Sequence, residues 1–101
     1  MELITAEQLK QRQNNGEKLM VDFFATWCGP CKSLLPRLER MESDYPGVNF
    51  VKIDVDKNMD YAGEIGIRSV PTVAFFNGNN LVTMSVGANT DGFYKDILSG
   101  L

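Results

Sequence analysis

Histidine is missing from the chain altogether, cysteine occurs only twice and tryptophan once. Without an imidazole there is no His-based zinc site and no base for a Ser-His or Cys-His nucleophile, so any chemistry must use other groups. Positive charge is not in excess either: 10 Lys and Arg stand against 13 Asp and Glu, for a net charge of -3 at pH 7. Nucleic acids and anionic membranes need a basic patch, so neither is an expected partner. The opening stretch MELITAEQLKQRQNNGEKLM is polar and charged with no continuous apolar core. That argues against a signal peptide or a membrane anchor and sets the cytoplasm as the expected address. Repeats, linkers and low-complexity tracts are also absent. In 101 residues, 44% of them apolar, there is material for one core, so one domain over residues 1–101 is expected.

What is present is a patterned α/β chain. Thr5 and Gln8 form a capping box ahead of a short polar helix near residues 6–14, which Asn14-Asn15-Gly16 can close. LMVDFFA, residues 19–25, is apolar on both alternating faces except at Asp22, as in a central strand covered on both sides. Asp22 is therefore expected to be buried. Leu34, Leu35, Leu38, Met41 and Tyr45 recur at helical spacing until Pro46-Gly47, and Pro36 inside that helix predicts a kink. VNFVKIDV, residues 48–55, reads as a second long strand, which makes a βαβ unit with parallel strands and a right-handed crossover. A short helix is expected over 58–66. TVAFF and LVTMSV flank NGNN, where Asn77-Gly78 signals an antiparallel hairpin. Thr90 or Asn89 caps a last helix expected to bury Phe93, Ile97 and Leu98. The fold class is α/β, a mixed central sheet flanked by helices on both faces.

Both cysteines fall in WCGPC, residues 27–31. A permanent staple is disfavoured, since a reducing compartment keeps thiols reduced and so short a loop gains little by closing. A metal site would need two further ligands, which in this chain could only be carboxylates or come from a second copy. A redox couple needs nothing more and is the favoured reading. Cys28 stands just past a strand and at the start of a helix, where unpaired N–H groups and the positive dipole end favour a thiolate. It is expected to be the attacking sulfur, with Cys31, one turn further in and less accessible, resolving the mixed disulfide. Gly29 lets the backbone turn tightly and Pro30 fixes it. Nothing within CGPC stabilises the thiolate further, so the pair should favour the disulfide and act as a reductant.

VDFFATWCGPCKSLLPRLE, VKIDVDKN, GIRSVPTVAFFNG and VGA occur in the order and spacing found in thioredoxins, and the chain resembles that family along nearly its whole length. The resemblance implies the thioredoxin fold, in the order βαβαβαββα. It also implies a cytoplasmic protein-disulfide reductase that is recharged by a thioredoxin reductase. Its substrates would be disulfide proteins such as reductases and peroxidases regenerated by thiols, and it would act as a monomer. No bound cofactor is implied, because the electrons reside in the Cys28-Cys31 pair. Thioredoxins are themselves the standard case of a CXXC dithiol with a lowered thiol pKa and a low potential, properties that come only with the resemblance. Phe24 departs from the pattern, standing where many thioredoxins carry tryptophan.

From its position alone, a buried Asp22 is equally a proton-exchanging partner for Cys31 or a structural acid paired with a cation. The resemblance selects the first. It further implies that Lys52, on the neighbouring strand, lies near this acid in a modest electrostatic role. It implies a cis Val70-Pro71 bond facing the cysteines, which would turn the Val70 backbone toward an extended substrate segment. Trp27, Gly29, Pro30, Val70, Gly87 and Ala88 would form a flat apolar docking surface around Pro71, with Asp56 supporting Trp27. Taken singly, Trp27 could be ordinary surface packing, Gly87 a strand-end glycine and Asp56 a helix cap. Two rival functions are a redox-inert binding module on the same surface and a glutaredoxin-like, glutathione-dependent oxidoreductase. Thiol titration with a protein disulfide separates the first, and the uncharged WCGPC loop favours protein substrates over the second.

Overall fold

A five-stranded sheet organises the computed structural model, which describes residues 1–101. Strands β1 (Glu2–Leu3), β2 (Lys18–Phe24), β3 (Asn49–Asp54), β4 (Thr72–Asn77) and β5 (Asn80–Val86) lie in the order β1-β3-β2-β4-β5. β3 pairs in parallel with β1 and β2, while β4 runs antiparallel to both β2 and β5. Helices α1 (Ala6–Asn14), α2 (Gly29–Glu42), α3 (Met59–Ile65) and α4 (Asp91–Ser99) complete the order βαβαβαββα.

The alternation of β2 sets the layout. Leu19, Val21 and Phe23 face one way, into a cluster with Leu9 of α1 and Tyr61 of α3. Met20 faces the other way and packs with Leu34 and Leu38 of α2 and Tyr94 and Leu98 of α4. Helices thus cover both faces, and each large side chain buried in them contributes about 1.5–3 kcal/mol from surface removed from water. Asp22 shares the parity of Met20 and so lies on the α2 side of the sheet.

Local signals act as expected at the helix starts. Gln8 N–H donates to Thr5 Oγ1 at 3.1 Å while Thr5 N–H donates to Gln8 Oε1 at 2.9 Å, closing the capping box. Of the two candidate caps for α4, Thr90 is the one used, its hydroxyl accepting from Phe93 N–H at 3.2 Å. α2 runs unbroken through Pro36, whose side chain is exposed.

Elsewhere the structure departs from the expectations. β3 ends at Asp54, not at residue 55, because Asp54 Oδ1 accepts from Asp56 N–H at 2.9 Å and turns the chain into a tight 3-10 turn, Val55–Lys57. The hairpin turn is Gly78-Asn79, since Asn77 still pairs with Asn80. Gly78 has φ +59 and Asn79 is not in the left-handed region, the pattern of a hairpin needing positive φ at its first central residue only. α4 is rotated from the expected phase: Tyr94 and Leu98 are buried and Ile97 is half-buried, but Phe93 is 41% exposed. The cause is polar. Tyr94 Oη accepts from Asn89 N–H at 2.9 Å and donates to the Gly87 carbonyl at 3.3 Å, so the ring can enter the core with its hydroxyl satisfied.

This phase is testable by substitution at two adjacent positions. Tyr94→Ala should lower stability by about 3–5 kcal/mol in urea unfolding, and Phe93→Ala by no more than about half as much. Equal losses would restore the phase expected from the sequence.

Candidate active site

Cys28 is the N-cap of α2, four residues beyond the end of β2. Its sulfur takes the place usually filled by a hydroxyl or carboxylate oxygen, and Cys31 N–H donates to it at 3.2 Å. Cys28 and Cys31 are joined as a disulfide with Cα atoms 5.3 Å apart. Cys31 is the less exposed of the two, but at 3% against 5% exposure does little to separate their roles. Their hydrogen bonding differs more. A backbone N–H of the helix N-terminus points at Cys28 Sγ and none points at Cys31 Sγ, so negative charge is favoured on Cys28.

The Val70-Pro71 bond is cis, and the Val70 carbonyl oxygen lies 3.7 Å from Cys28 Sγ. Pro71 itself is buried. Neither the N–H nor the carbonyl of Val70 has a backbone hydrogen-bond partner. Gly87 N–H donates to the Pro71 carbonyl at 2.8 Å, which brings the loop after β5 to the same end of the molecule. Gly29, Pro30 and Ala88 are exposed, while Val70 and Gly87 are half-buried. Trp27 is 70% exposed, and its Nε1–H donates to Asp56 Oδ2 at 2.8 Å. The indole is therefore held by Asp56 while its face stays open to solvent. Beside it a hollow of about 140 Å³ is lined by Val55, Ala62, Ile67, Arg68, Ser69 and Val70 together with Trp27.

Asp22 is 1% exposed, and its Oδ1 has no hydrogen-bond partner. Burial pushes its carboxyl up to about 7, and the positive charge of Lys52 opposes that rise without cancelling it. Lys52 is directly across from Asp22 in the β2–β3 register, half-buried, with Nζ 5.9 Å from the centroid of the Phe24 ring. Asp22 and Cys31 line one cavity of about 280 Å³ with Phe24, Thr26, Lys32 and Leu35. Thr26 and Lys32 in this lining carry no signal in the sequence beyond their nearness to the cysteines, and Leu35 is marked there only as part of the apolar pattern of α2. No three His, Cys, Asp or Glu side chains converge anywhere in the chain, so the sulfur pair has no set of fellow ligands.

The chain is similar to known proteins along nearly its whole length. The thioredoxin family model matches residues 1–99. Thioredoxin-2 of Saccharomyces cerevisiae is 40% identical over 101 residues, covering 99% of this chain and 97% of that protein. The thioredoxin of Mycoplasmoides gallisepticum is 38% identical over 91 residues, or 90% of this chain and 91% of its own. Among solved structures, Fasciola hepatica thioredoxin superposes with a TM-score of 0.90 at 33% identity, over 99% of this chain and 98% of that one. Oxidised mitochondrial thioredoxin 3 from Saccharomyces cerevisiae gives 0.89 at 34% identity, over 100% and 95%. A helix-capping CXXC sulfur pair and likeness along the whole chain lead to one conclusion: the chain belongs to the thioredoxin family and is a thiol-disulfide oxidoreductase whose own dithiol carries the electrons.

Proposed function

We propose that the chain is a cytoplasmic, monomeric reductase of protein disulfides that is recharged by a thioredoxin reductase, with Cys28 attacking and Cys31 resolving. The observation that carries this is the site around Cys28. Its sulfur caps α2 and lies 3.7 Å from the carbonyl of a Val70 whose N–H and carbonyl have no backbone hydrogen-bond partner. An extended substrate segment can pair with those groups and present its disulfide to Cys28. Trp27, Gly29, Pro30, Val70, Pro71, Gly87 and Ala88 form the docking surface. Thiol peroxidases are one proposed substrate class. A solved relative with a TM-score of 0.89 and 33% identity comes from work on thiol resolution in a yeast mitochondrial 1-Cys peroxiredoxin via the glutathione and thioredoxin systems. No helix is long and apolar enough to cross a membrane.

In the first step the Cys28 thiolate bonds to one sulfur of the substrate disulfide, and the other leaves as a thiolate that takes a proton from water. Cys31 then loses its proton and attacks Cys28 Sγ, breaking the mixed disulfide so that the second substrate sulfur leaves as a thiolate, which takes a proton from water, and the Cys28-Cys31 disulfide forms. Two electrons pass from the dithiol to the substrate. Asp22 accepts the Cys31 proton across their shared cavity, a task suited to a carboxyl raised to about 7. Lys52 keeps enough of it ionised to serve as a base.

Two experiments test these roles. Cys28→Ser should abolish insulin-disulfide reduction, whereas Cys31→Ser should accumulate a covalent mixed disulfide with the substrate, because only the resolving step is missing. Capture by Cys28→Ser instead would reverse the assignment. For Asp22 the folded pKa of about 7 lies above the unfolded value of ~3.9, so the native state binds the proton more tightly. The stability this lends is complete below about pH 4 and is lost as pH rises through about 7. Asp22→Asn should therefore change little at pH 4 and raise stability by roughly 4 kcal/mol at pH 8, at ~1.4 kcal/mol per pKa unit. It should also slow insulin reduction about tenfold or more at pH 7. Lower stability than wild type at pH 8 would mark Asp22 as a satisfied structural acid.

A further inference from the structure

The segment between β5 and α4 carries Gly87 and Ala88 but belongs to no strand or helix that could fix its shape. Hydrogen bonds fix it instead, from three sides. Gly87 N–H donates to the Pro71 carbonyl at 2.8 Å. Tyr94 Oη, in the core, accepts from Asn89 N–H at 2.9 Å and donates to the Gly87 carbonyl at 3.3 Å. The Arg37 guanidinium, from α2, donates to the Asn89 carbonyl and, through Nε, to Asp91 Oδ1 at 2.9 Å. The loop is thereby fastened to the Pro71 segment, to α4 and to the helix that bears Cys31.

We propose that Tyr94 and Arg37 are positioning residues for the docking of protein disulfides. Neither is part of the docking surface or of the proton path. Together they hold the backbone of residues 87–89 in a single arrangement beside Pro71. The inference rests on the docking role proposed above for Gly87 and Ala88. A loop that sampled several shapes would bind an extended segment with an affinity reduced by the fraction of time spent in the competent one. A small disulfide has no flanking segment to lay along the loop, so its reaction with Cys28 is indifferent to these two residues.

Tyr94→Phe keeps the ring in the core, deletes the hydroxyl and leaves Asn89 N–H without its partner. Arg37→Met keeps an apolar stem and removes the donors from a side chain at the surface of α2. For each reduced variant, the rate constants for oxidation by insulin and by hydroxyethyl disulfide would be measured, together with the potential against glutathione. The insulin reaction should slow by about three- to tenfold, the factor corresponding to one hydrogen bond's net contribution. The hydroxyethyl disulfide reaction and the potential should not move. An unchanged insulin rate, or an equal fall in both rates, would overturn the proposal. Should Tyr94→Phe fail to fold, Arg37→Met carries the same comparison alone. A wild-type chain that reduces hydroxyethyl disulfide but not insulin would remove the docking surface, and this inference with it, before any variant is made.

Discussion

The hydrogen bond from Cys31 N–H to Cys28 Sγ constrains everything around it. For a sulfur to cap a helix, the preceding strand must end a few residues earlier and the helix must begin at the next residue, and β2 and α2 meet both conditions. Pro30 fits the same requirement, since a proline in the first turn gives up an N–H that has no intrahelical partner. The positive end of α2 is thus directed at the atom that must carry negative charge, with no cationic side chain in the motif. Gly29 and Pro30 stay exposed beside the buried Cys28.

Asp22 represents the opposite kind of choice. A carboxyl with an unpartnered oxygen in the middle of a central strand works against the fold, and Lys52 relieves it only in part. The strand tolerates it because its neighbours Leu19, Met20, Val21 and Phe23 are all fully buried and supply a surplus of apolar contact. Departures from good packing of this sort are expected where chemistry is done.

Much of this is legible in the residues. The run LMVDFFA implies a strand buried on both faces and, with it, a buried Asp22, because an apolar stretch interrupted by a single acid suits neither a half-solvated strand nor a surface loop. The helix starts are readable from Thr5, Gln8 and Thr90, whose caps depend only on local geometry. β1 carries no such signal, for Glu2 and Leu3 show no alternation and become a strand only through pairing with Val51 and Lys52. The burial of Tyr94 is hidden for a related reason. The phase of α4 is set by where a phenol hydroxyl finds the backbone of residues 87 and 89, a contact between segments that spacing along one helix does not reveal. Of the site, the cysteine pair can be argued from position and chemistry. The convergence of Val70, Pro71 and Gly87 upon it follows from family likeness alone, since the chain brings them together across more than forty residues.

Because alternate residues of β2 are shared between the two apolar clusters, neither cluster can loosen while the other remains intact. The strand that leads into the cysteines is the seam joining both halves of the interior. The reactive end consequently has no softer unit of its own beneath it, and Asp22 faces outward only at the wall of the cavity it shares with Cys31, beside the exposed Thr26 and Lys32, with neither layer parted.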